Sequence, residues 1–530
     1  MSEKNVLNLV PYPAKIVRGE GFFHVNAAAG ARPEDGAGRQ ECAVGGQNLS
    51  ANLSIAEKES DRFGAEGYRL QIRQDGIAAE GSRIGLLYAR TTLAQLRQQF
   101  GETLPCMEIT DEPRFSHRGW MLDSSRHFLP EEDVCKLIDA AAYYKLNRLH
   151  WHLADDQGWR IEIKRYPKLT EIGSRRKMAH FGDIEEPAEQ GGFFTQEQVK
   201  RIVAYARARG IEIIPEIEIP GHESAMLAAY PEYACHAADG SVIGGPIEVG
   251  TRGGIFEYLV CAGRDETFTF LTNILDEIMA LFPYPVVHIG GDEAAKTHWR
   301  ACPDCQRRIK ELGLKNENVL QQWLVIKIGE YLKVHGRATV VWNESLRGDK
   351  LPTNFIAQAW HGDHELLADF AKRGGRLIQS SNAFCYLDYP YYLIDAKKIL
   401  ETEPCPSYLS NEEEKAVIGI ECPLWSERIP TLVRAGYLLY PRLPAMAELA
   451  WTAAESRQNE TFAERYGATA KYLRQIGITP APQDHIALDK AAQAADKEAY
   501  EKMIYTPGNK AAIDHDNALV AEEERIYGKT

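Results

Sequence analysis

The sequence predicts an α/β fold, a (β/α)8 TIM barrel preceded by a small α+β domain and followed by a helical C-terminal extension. Two observations favour this fold. A chain of 530 residues is too long for one ordinary core. Between about residues 115 and 451, eight short apolar segments alternate with helical segments, as in a barrel with insertions. We therefore expect three units, residues 1–112, 113–455 and 456–530.

The first unit differs from the rest in its local patterns. Residues 6–17 form a short strand-like opening, and residues 26–60 are rich in Ala, Gly and polar side chains. Residues 67–72 alternate between apolar and polar, which indicates a half-buried strand, and residues 76–80 are its expected partner. Leucines at helical spacing predict a helix over residues 83–100. Strands followed by a helix make a small α+β unit.

The predicted barrel strands are the apolar, β-branched segments of the central region. They cover residues 118–123, 147–154, 212–219, 286–290, 339–342, 355–360, 377–380 and 417–422. Helices are expected between most of them, for example over residues 131–144, 195–209 and 265–282. A doubly wound open sheet is the alternative, but it normally has a Gly-rich loop after its first strand. Here that strand ends in Leu122-Asp123-Ser124-Ser125-Arg126, without a glycine.

Composition excludes some classes of partner. The formal net charge is −14, from 75 acidic residues against 61 Lys and Arg, whereas nucleic-acid binders need a basic face. We expect neither a nucleic-acid partner nor a membrane partner, because no apolar run is long enough to span a bilayer. The first eight residues contain no apolar signal segment, so we expect a cytoplasmic protein, or an exported one whose signal peptide was removed.

The ten cysteines show no disulfide spacing and are expected to be mostly reduced. Cys302 and Cys305 form a single C-x-x-C, which could be half of a zinc site or a redox pair. No second C-x-x-C completes a four-cysteine site, so structural or incidental thiols are the favoured interpretation. We expect no metal ion and no cofactor.

Chemically reactive side chains follow the predicted strands. The most informative segment is Val286-Val287-His288-Ile289-Gly290-Gly291-Asp292-Glu293, a buried strand, two glycines and two carboxylates. After the other strands come acids, one arginine, two histidines, one tyrosine and three tryptophans, namely Asp123, Arg126, Asp155, Asp156, His222, Trp342, Glu344, Trp360, His361, Tyr386, Asp388, Trp425 and Glu427. Aromatic faces pack on sugar C–H groups, and charged side chains bind hydroxyls. The pattern therefore predicts a carbohydrate site.

Several of these segments resemble the signatures of glycoside hydrolase family 20, the β-N-acetylhexosaminidases. The resemblance covers the barrel nearly end to end and rests on 123–128 (Asp-Ser-Ser-Arg-His-Phe), 150–159 (His-Trp-His-Leu-Ala-Asp-Asp-Gln-Gly-Trp), 220–222 (Pro-Gly-His) and 288–293. Segments 386–388, 424–427 and 440–442 are also similar to the family. The first 112 residues resemble, less specifically, the small domain that often precedes this barrel.

The resemblance implies an exo-acting, retaining enzyme in which the 2-acetamido group of the substrate is the nucleophile. It implies that Glu293 is the general acid and base, while Asp292 and Tyr386 hold the acetamido group. By the same resemblance, three tryptophans wall the pocket, three charged side chains bind hydroxyls, and a further pair supports the acid. These are, in order, Trp342, Trp360 and Trp425; Arg126, Asp388 and Glu427; and Asp155 with His222. A general acid must stay protonated near neutral pH, so we expect Glu293 to be buried among the tryptophans.

One argument from the residues themselves points the same way. Ordinary retaining glycosidases place two carboxylates about 5 Å apart on opposite sides of the scissile bond. Adjacent residues such as Asp292 and Glu293 are poorly placed to do so. The expected partner is a small oligosaccharide or glycoconjugate, with its linkage and its GlcNAc or GalNAc identity left open.

Two other functional classes remain as alternatives. A non-catalytic sugar-binding barrel would be expected to lack one of the two acids, and both are present. A metal-dependent hydrolase would need Asp155, Asp156, His222 and Asp292 to gather around an open site.

Overall fold

The computed structural model describes residues 6–25, 55–182, 184–185 and 189–528. The N-terminal region is a five-stranded sheet covered by one helix, Arg83–Phe100. In spatial order its strands are Lys15–His24, Thr103–Asp111, Tyr68–Arg73, Gly76–Gly81 and Ile55–Glu59. Tyr68–Arg73 and Gly76–Gly81 pair antiparallel, and the helix begins and ends where the leucine spacing predicted.

Two details of this sheet differ from the sequence-based prediction. The opening strand begins at Lys15, and residues 6–14 lie in an irregular conformation outside any strand. Strand Ile55–Glu59 was missed, since its sequence, Ile-Ala-Glu-Lys-Glu, is mostly polar and it lies exposed at the sheet edge. The Ala- and Gly-rich stretch at 26–54 lies outside the described residues.

The central region is a closed parallel barrel of eight strands, which confirms the predicted TIM barrel and excludes the open sheet. Each of the eight strands overlaps its prediction. They are His117–Asp123, Arg148–His152, Glu212–Glu216, Val286–His288, Ala338–Trp342, Ile356–Ala359, Arg376–Gln379 and Val417–Leu424. The last strand pairs with the first over six residue pairs, from Gly419–His117 to Leu424–Leu122, and closes the barrel.

Helices cover the outside of the barrel. The predicted helices are present as Glu131–Tyr143, Gln196–Arg207 and Asp265–Leu281. Thr195 and Gln198 form a capping box that starts the second of them, which explains its sharp N-terminus. The remaining α-helices of four or more residues between 168 and 451 are Lys168–Glu171, Ser224–Ala229, Thr297–Ala301, Pro303–Leu312, Glu317–Val334, His364–Lys372, Ala396–Glu401, Leu432–Leu439 and Arg442–Trp451.

The interior of the barrel is apolar at one end and polar at the other. Inward-facing β-branched side chains from five strands fill the end where the strands begin; they are Ile214, Val286, Val340, Ile356 and Ile378. Nearer the carboxyl ends of the strands, buried histidines and glutamates replace them. His150 contacts Glu421 at 2.7 Å and Glu216 at 3.0 Å. This polar layer forms the base on which the site rests.

The C-terminal region is helical, as predicted. Its helices are Phe462–Gln475, Lys490–Ile504 and Pro507–Tyr527. The last helix lies on the loops at the carboxyl ends of the strands, where Asp516 accepts a hydrogen bond of 3.0 Å from the backbone N–H of Ile255. Among the described residues, none of the helices combines the length and the apolar composition that crossing a bilayer would require.

Candidate active site

A cavity of about 310 Å³ opens at the carboxyl ends of the barrel strands. Of the residues that the family resemblance assigns to the site, all except Trp342 line it, and they come from seven different strand ends. The lining residues are Arg126, Asp155, His222, Gly254, Asp292, Glu293, Trp360, Tyr386, Asp388, Tyr389, Trp425, Glu427, Arg428 and Tyr500. Parallel strands in a barrel end on one face, which is why side chains distant in sequence meet here.

The turn after the fourth strand places the two adjacent carboxylates. Gly290 and Gly291 have φ of 63° and 100°, a left-handed conformation that side-chain-bearing residues rarely adopt. A Cβ atom on Gly290 would lie 1.7 Å from a carboxylate oxygen of Glu218, so that position requires glycine. The turn leaves Asp292 buried and the Glu293 side chain 34% exposed to the cavity. Our expectation that Glu293 is buried among tryptophans is therefore wrong, because the turn carries it to the open side.

The imidazole of His222 lies between Asp292 and Glu293 on one side and a second pair of acids, Asp155 and Asp156, on the other. Its Nε2 lies 3.5 Å from Glu293 and 3.9 Å from Asp292, and its Nδ1 lies 3.4 Å from Asp155 and 3.1 Å from Asp156. Burial alone would lower the pKa of His222, but Asp155 and Asp156 hold it well above its ordinary value. The imidazolium is thus placed between two pairs of acids.

Asp292 is in an unusual electrostatic environment. Burial raises the pKa of its carboxyl well above the ordinary value, against the opposing effect of His222. Its Oδ1 atom is buried with no hydrogen-bond donor among the described residues. A buried, unpaired acceptor costs free energy, so it is available for a donor from a bound molecule.

Arg126 contacts Oδ2 of Asp155, whereas His222 contacts Oδ1 of the same carboxylate. Its guanidinium contacts Asp155 at 2.7 Å and donates to Gln157 at 2.7 Å, and it lies 4.9 Å from the ring centre of Trp425. Despite burial, Arg126 holds the pKa of Asp155 below its usual range. Protein side chains therefore supply the hydrogen bonds that Asp155 accepts. The Arg126–Asp155 ion pair acts as a rigid support for the site.

Aromatic rings form the walls of the cavity. Trp360 and Tyr386 are stacked with ring centres 6.1 Å apart, and Trp425 also lines the cavity. Trp342 is 1% exposed and is not among the residues that line this cavity, although its ring centre lies 6.1 Å from that of Trp425. Its role as a wall residue therefore stays a prediction. Its indole N–H is directed inward and donates to Glu216 at 3.0 Å, because the polar layer of the barrel offers an acceptor there.

Two half-buried acids in the site have pKa values near 7. Burial, together with the neighbouring Glu427, raises the pKa of Asp388 to about 7. Burial likewise raises the pKa of Glu344 to about 7, although Arg347 and the Trp360 indole N–H, 2.8 Å away, oppose the shift. Glu218, between the third strand and Gly290, is fully buried and its pKa is also raised well above the ordinary value by burial.

Several contributors were not singled out from the sequence. Tyr389, Arg428 and Tyr500 line the cavity, and Tyr500 comes from the C-terminal helical region. A second cavity of about 270 Å³ shares Glu293 and Trp360 with the first and is bounded by Leu519 and other residues of the last helix. Spacing within a helix offered no signal for the contributions of Tyr500 and Leu519, since these depend on how the C-terminal helices pack against the barrel.

The interpretation of Cys302 and Cys305 as structural or incidental thiols also needs correction. Cys302 and Cys305 were expected to lack partners for a four-cysteine site, but the structure places Cys235 and Cys261 beside them. The two partners come from separate points in the chain rather than from a second C-x-x-C, so the spacing gave no sign of them. All four are buried.

Comparison with known proteins agrees with this architecture. Residues 115–454 match the model of the glycosyl hydrolase family 20 catalytic domain, and residues 34–112 match domain 2 of the same family. A β-hexosaminidase from Porphyromonas gingivalis is 37% identical over 474 residues, which cover 83% of this chain and 59% of that protein. A β-hexosaminidase from Akkermansia muciniphila is 36% identical over 434 residues, which cover 79% of this chain and 86% of that protein.

Among solved structures, the chain is similar to an exo-β-N-acetylglucosaminidase from Vibrio harveyi in complex with N-acetylglucosamine. The TM-score is 0.75 and the identity 30%, over 90% of this chain and 78% of that one. The family match spans the whole barrel, from its first strand to the helix after its last. The chain therefore belongs to glycosyl hydrolase family 20 and is a glycoside hydrolase of the β-N-acetylhexosaminidase class.

Proposed function

We propose that this chain is an exo-acting β-N-acetylhexosaminidase that releases terminal, non-reducing β-linked GlcNAc or GalNAc with retention of configuration. The observation that carries the proposal is the Asp292–Glu293 pair beside His222 in a cavity walled by Trp360, Tyr386 and Trp425. The cavity volume, about 310 Å³, suits one sugar ring, and the polar layer of the barrel closes it below. A closed end favours a terminal residue over the interior of a chain.

The nucleophile in this proposal is the acetamido oxygen of the substrate. Asp292 and Glu293 contact the same imidazole nitrogen, so they lie on one side of the cavity. A protein nucleophile would have to face the acid across the sugar ring. Asp155, another lining acid, is engaged by Arg126 and His152 at 2.7 and 2.8 Å, which makes it a weak nucleophile. Substrate assistance does not need such a group.

Asp292 and Tyr386 are the groups that we assign to the acetamido group. The unpaired, buried Oδ1 of Asp292 can accept the acetamido N–H. Although burial raises the pKa of this carboxyl, the cationic oxazolinium that forms beside it favours the ionised form, and that carboxylate then stabilises the cation. Tyr386 lines the same cavity, and burial raises the pKa of its phenol well above the ordinary value. Its hydroxyl therefore stays protonated and can donate to the acetamido carbonyl oxygen.

Glu293 is the proposed general acid for the leaving oxygen, and then the base for water. It is the lining acid shared by both cavities, so the scissile bond would lie between a sugar in the first and a leaving group in the second. His222 is a positioning residue behind it, held by Asp155 and Asp156. Arg126, Asp388 and Glu427 are assigned to the sugar hydroxyls, because they are charged side chains that line the same cavity.

A pair of aryl glycosides tests the mechanism. We expect the aryl β-N-acetylglucosaminide to be hydrolysed and the matched aryl β-glucoside, which lacks the acetamido group, to be turned over at least ~10³-fold more slowly. A thiazoline that mimics the oxazolinium should bind far more tightly than the substrate. Comparable rates on both glycosides, without inhibition by the thiazoline, would contradict the proposal and direct attention to Asp155 and Glu427.

A further inference from the structure

Four cysteines meet in one buried cluster outside the active-site cavity. Cys235 and Cys261 follow the third barrel strand, and Cys302 and Cys305 follow the fourth. Sulfur–sulfur distances are 3.9 Å for Cys235–Cys305, 3.8 Å for Cys261–Cys302 and 3.8 Å for Cys261–Cys305. All four sulfurs lie within 4.8 Å of one another, and each cysteine is at most 2% exposed.

These distances fit one arrangement of the sulfurs better than the alternatives. A disulfide needs a sulfur–sulfur distance of about 2.05 Å, and these cysteines are free. A tetrahedral zinc ion with zinc–sulfur bonds of about 2.3 Å requires sulfur–sulfur edges of about 3.8 Å. The three measured edges match that value. Four buried thiols that merely pack in a core have no reason to converge at this spacing.

The surroundings of the cluster suit a bound cation with four thiolates, which carries a net negative charge. Cys302 immediately precedes the helix Pro303–Leu312, and the backbone N–H of Cys305 in its first turn lies near the Cys302 sulfur. The guanidinium of Arg264 lies near the Cys261 sulfur and donates to the carbonyl oxygen of Ala234 at 2.6 Å. Donors and positive charge directed at ligand sulfurs are typical of metal–thiolate sites.

We propose that Cys235, Cys261, Cys302 and Cys305 bind one structural zinc ion. Four thiolates complete the preferred coordination of zinc and leave no position for water or substrate, so the site is structural rather than catalytic. The proposal corrects the sequence-based expectation that no metal binds. It does not depend on the proposed glycosidase mechanism.

The zinc would fix a loop of the active site to the barrel. Cys235 and Cys261 flank an isolated antiparallel bridge, Ala234–Val260, that closes the base of the loop between them. The same loop reaches the cavity, since Gly254 lines it and the backbone N–H of Gly250 donates to the Asp156 carbonyl at 2.7 Å. One ion thus joins both ends of this loop to the helical segment that follows the Asp292–Glu293 turn.

Metal analysis of the purified full chain tests the proposal. Protein prepared without added metal and under reducing conditions should contain about one zinc ion per chain by plasma mass spectrometry. Cys235→Ser and Cys302→Ser should each lose most of the zinc and lower the Tm by at least about 5 °C. Cys106→Ser, a buried cysteine in the N-terminal sheet, is the matched control and should retain the zinc.

A second measurement covers the case in which the variants fail to fold. Treatment of the wild-type protein with a thiol-modifying mercurial should release zinc to a chromogenic chelator in step with modification of the four cluster thiols. Wild-type protein with less than about 0.1 zinc per chain would overturn the proposal. So would disulfides among these cysteines in peptides mapped without reduction, or stoichiometric iron in place of zinc.

Discussion

At the scale of single residues, the site combines charged groups that support one another. His222 is held by Asp155 and Asp156 on one nitrogen and faces Asp292 and Glu293 with the other. This series of contacts fixes the orientation of the imidazole and places its positive charge beside Asp292 and Glu293. Mutations along it should separate roles in proton transfer from roles in positioning.

The first prediction concerns Glu293→Gln, which keeps the shape of the side chain but removes its proton. We expect kcat for a substrate with a poor leaving group, such as a β-linked disaccharide, to fall by ~10²-fold or more. An aryl glycoside with an activated leaving group needs little protonation and should lose much less in its first step. Steady-state kinetics on both substrates provide the measurement, and an equal loss on both would mean that Glu293 has another role.

The second prediction concerns pH and Asp388, whose pKa is raised from 3.8 to about 7 by burial and by Glu427. The folded protein therefore keeps a proton that the unfolded chain releases between these two values. Its stability should fall as pH rises from about 4 through about 7, and then level off with respect to this group. In Asp388→Asn that loss should disappear, so the variant should gain Tm relative to the wild type between about pH 5 and pH 8.

Thermal denaturation of both proteins across this pH range checks the prediction. Asp484→Asn is a suitable control, since that side chain is 81% exposed and lies on the surface of the C-terminal region. A difference in Tm between wild type and Asp388→Asn that does not change with pH would show that Asp388 does not titrate as stated.

At the scale of elements, the last helix, Pro507–Tyr527, lines the cavity that we propose for the leaving group. Leu519, Glu523 and Tyr527 line the second cavity, which shares Glu293 with the first. Asp516 connects the helix to residues 252–255, in the loop between Cys235 and Cys261, through Ile255 at 3.0 Å and Arg252 at 3.5 Å. In the proposed function, the helix would therefore contribute to binding of the leaving group.

The third prediction is that Asp516→Ala weakens binding of extended substrates. Loss of hydrogen bonds worth about 1.5 kcal/mol corresponds to roughly a tenfold higher KM for an oligosaccharide of three or more sugars. The KM of an aryl glycoside should change less, because its small leaving group makes few contacts in the second cavity. Asp514→Ala, which breaks an exposed pair with Lys510 on the same helix, is the control. Equal changes in both KM values would indicate a general disturbance of the fold.

At the scale of the whole molecule, a buried ion pair joins the N-terminal sheet to the barrel. Asp111 in the last strand of the sheet contacts the Lys145 ammonium at 3.0 Å, in the loop before the second barrel strand. Tyr68 and Trp451 donate to the same carboxylate at 2.8 and 2.9 Å. Groups from both parts of the chain therefore share one buried charge, which couples the stability of the two parts.

The fourth prediction is that Lys145→Met destabilises the protein by about 3–5 kcal/mol, since it leaves the buried Asp111 carboxylate without its counter-charge. Chemical denaturation of wild type and variant measures this difference. Lys415→Met removes an exposed pair with Glu412 and should change stability by less than about 1 kcal/mol. A change of similar size in the two variants would mean that the Asp111 pair does not link the sheet to the barrel.

The sequence by itself determined the barrel and most of the site. Barrel strands are buried on both faces, so they appear as apolar, β-branched runs that can be recognised locally, as in Val286–His288. The residues that follow such strands must lie on one face of a closed barrel. For that reason Arg126, Asp292 and Trp425 could be assigned to one cavity without knowledge of any contact between them.

Only the tertiary structure decided features that depend on how distant segments meet. Cys235 and Cys261 carry no local signal for the cysteine cluster, and Tyr500 carries none for the cavity. The inward orientation of Trp342 depends on an acceptor, Glu216, from another strand. A local sequence pattern indicates the environment of a residue only through its neighbours in the sequence. These contacts join segments that are distant in the sequence, and packing of the complete barrel and its C-terminal helices sets the relative position of those segments.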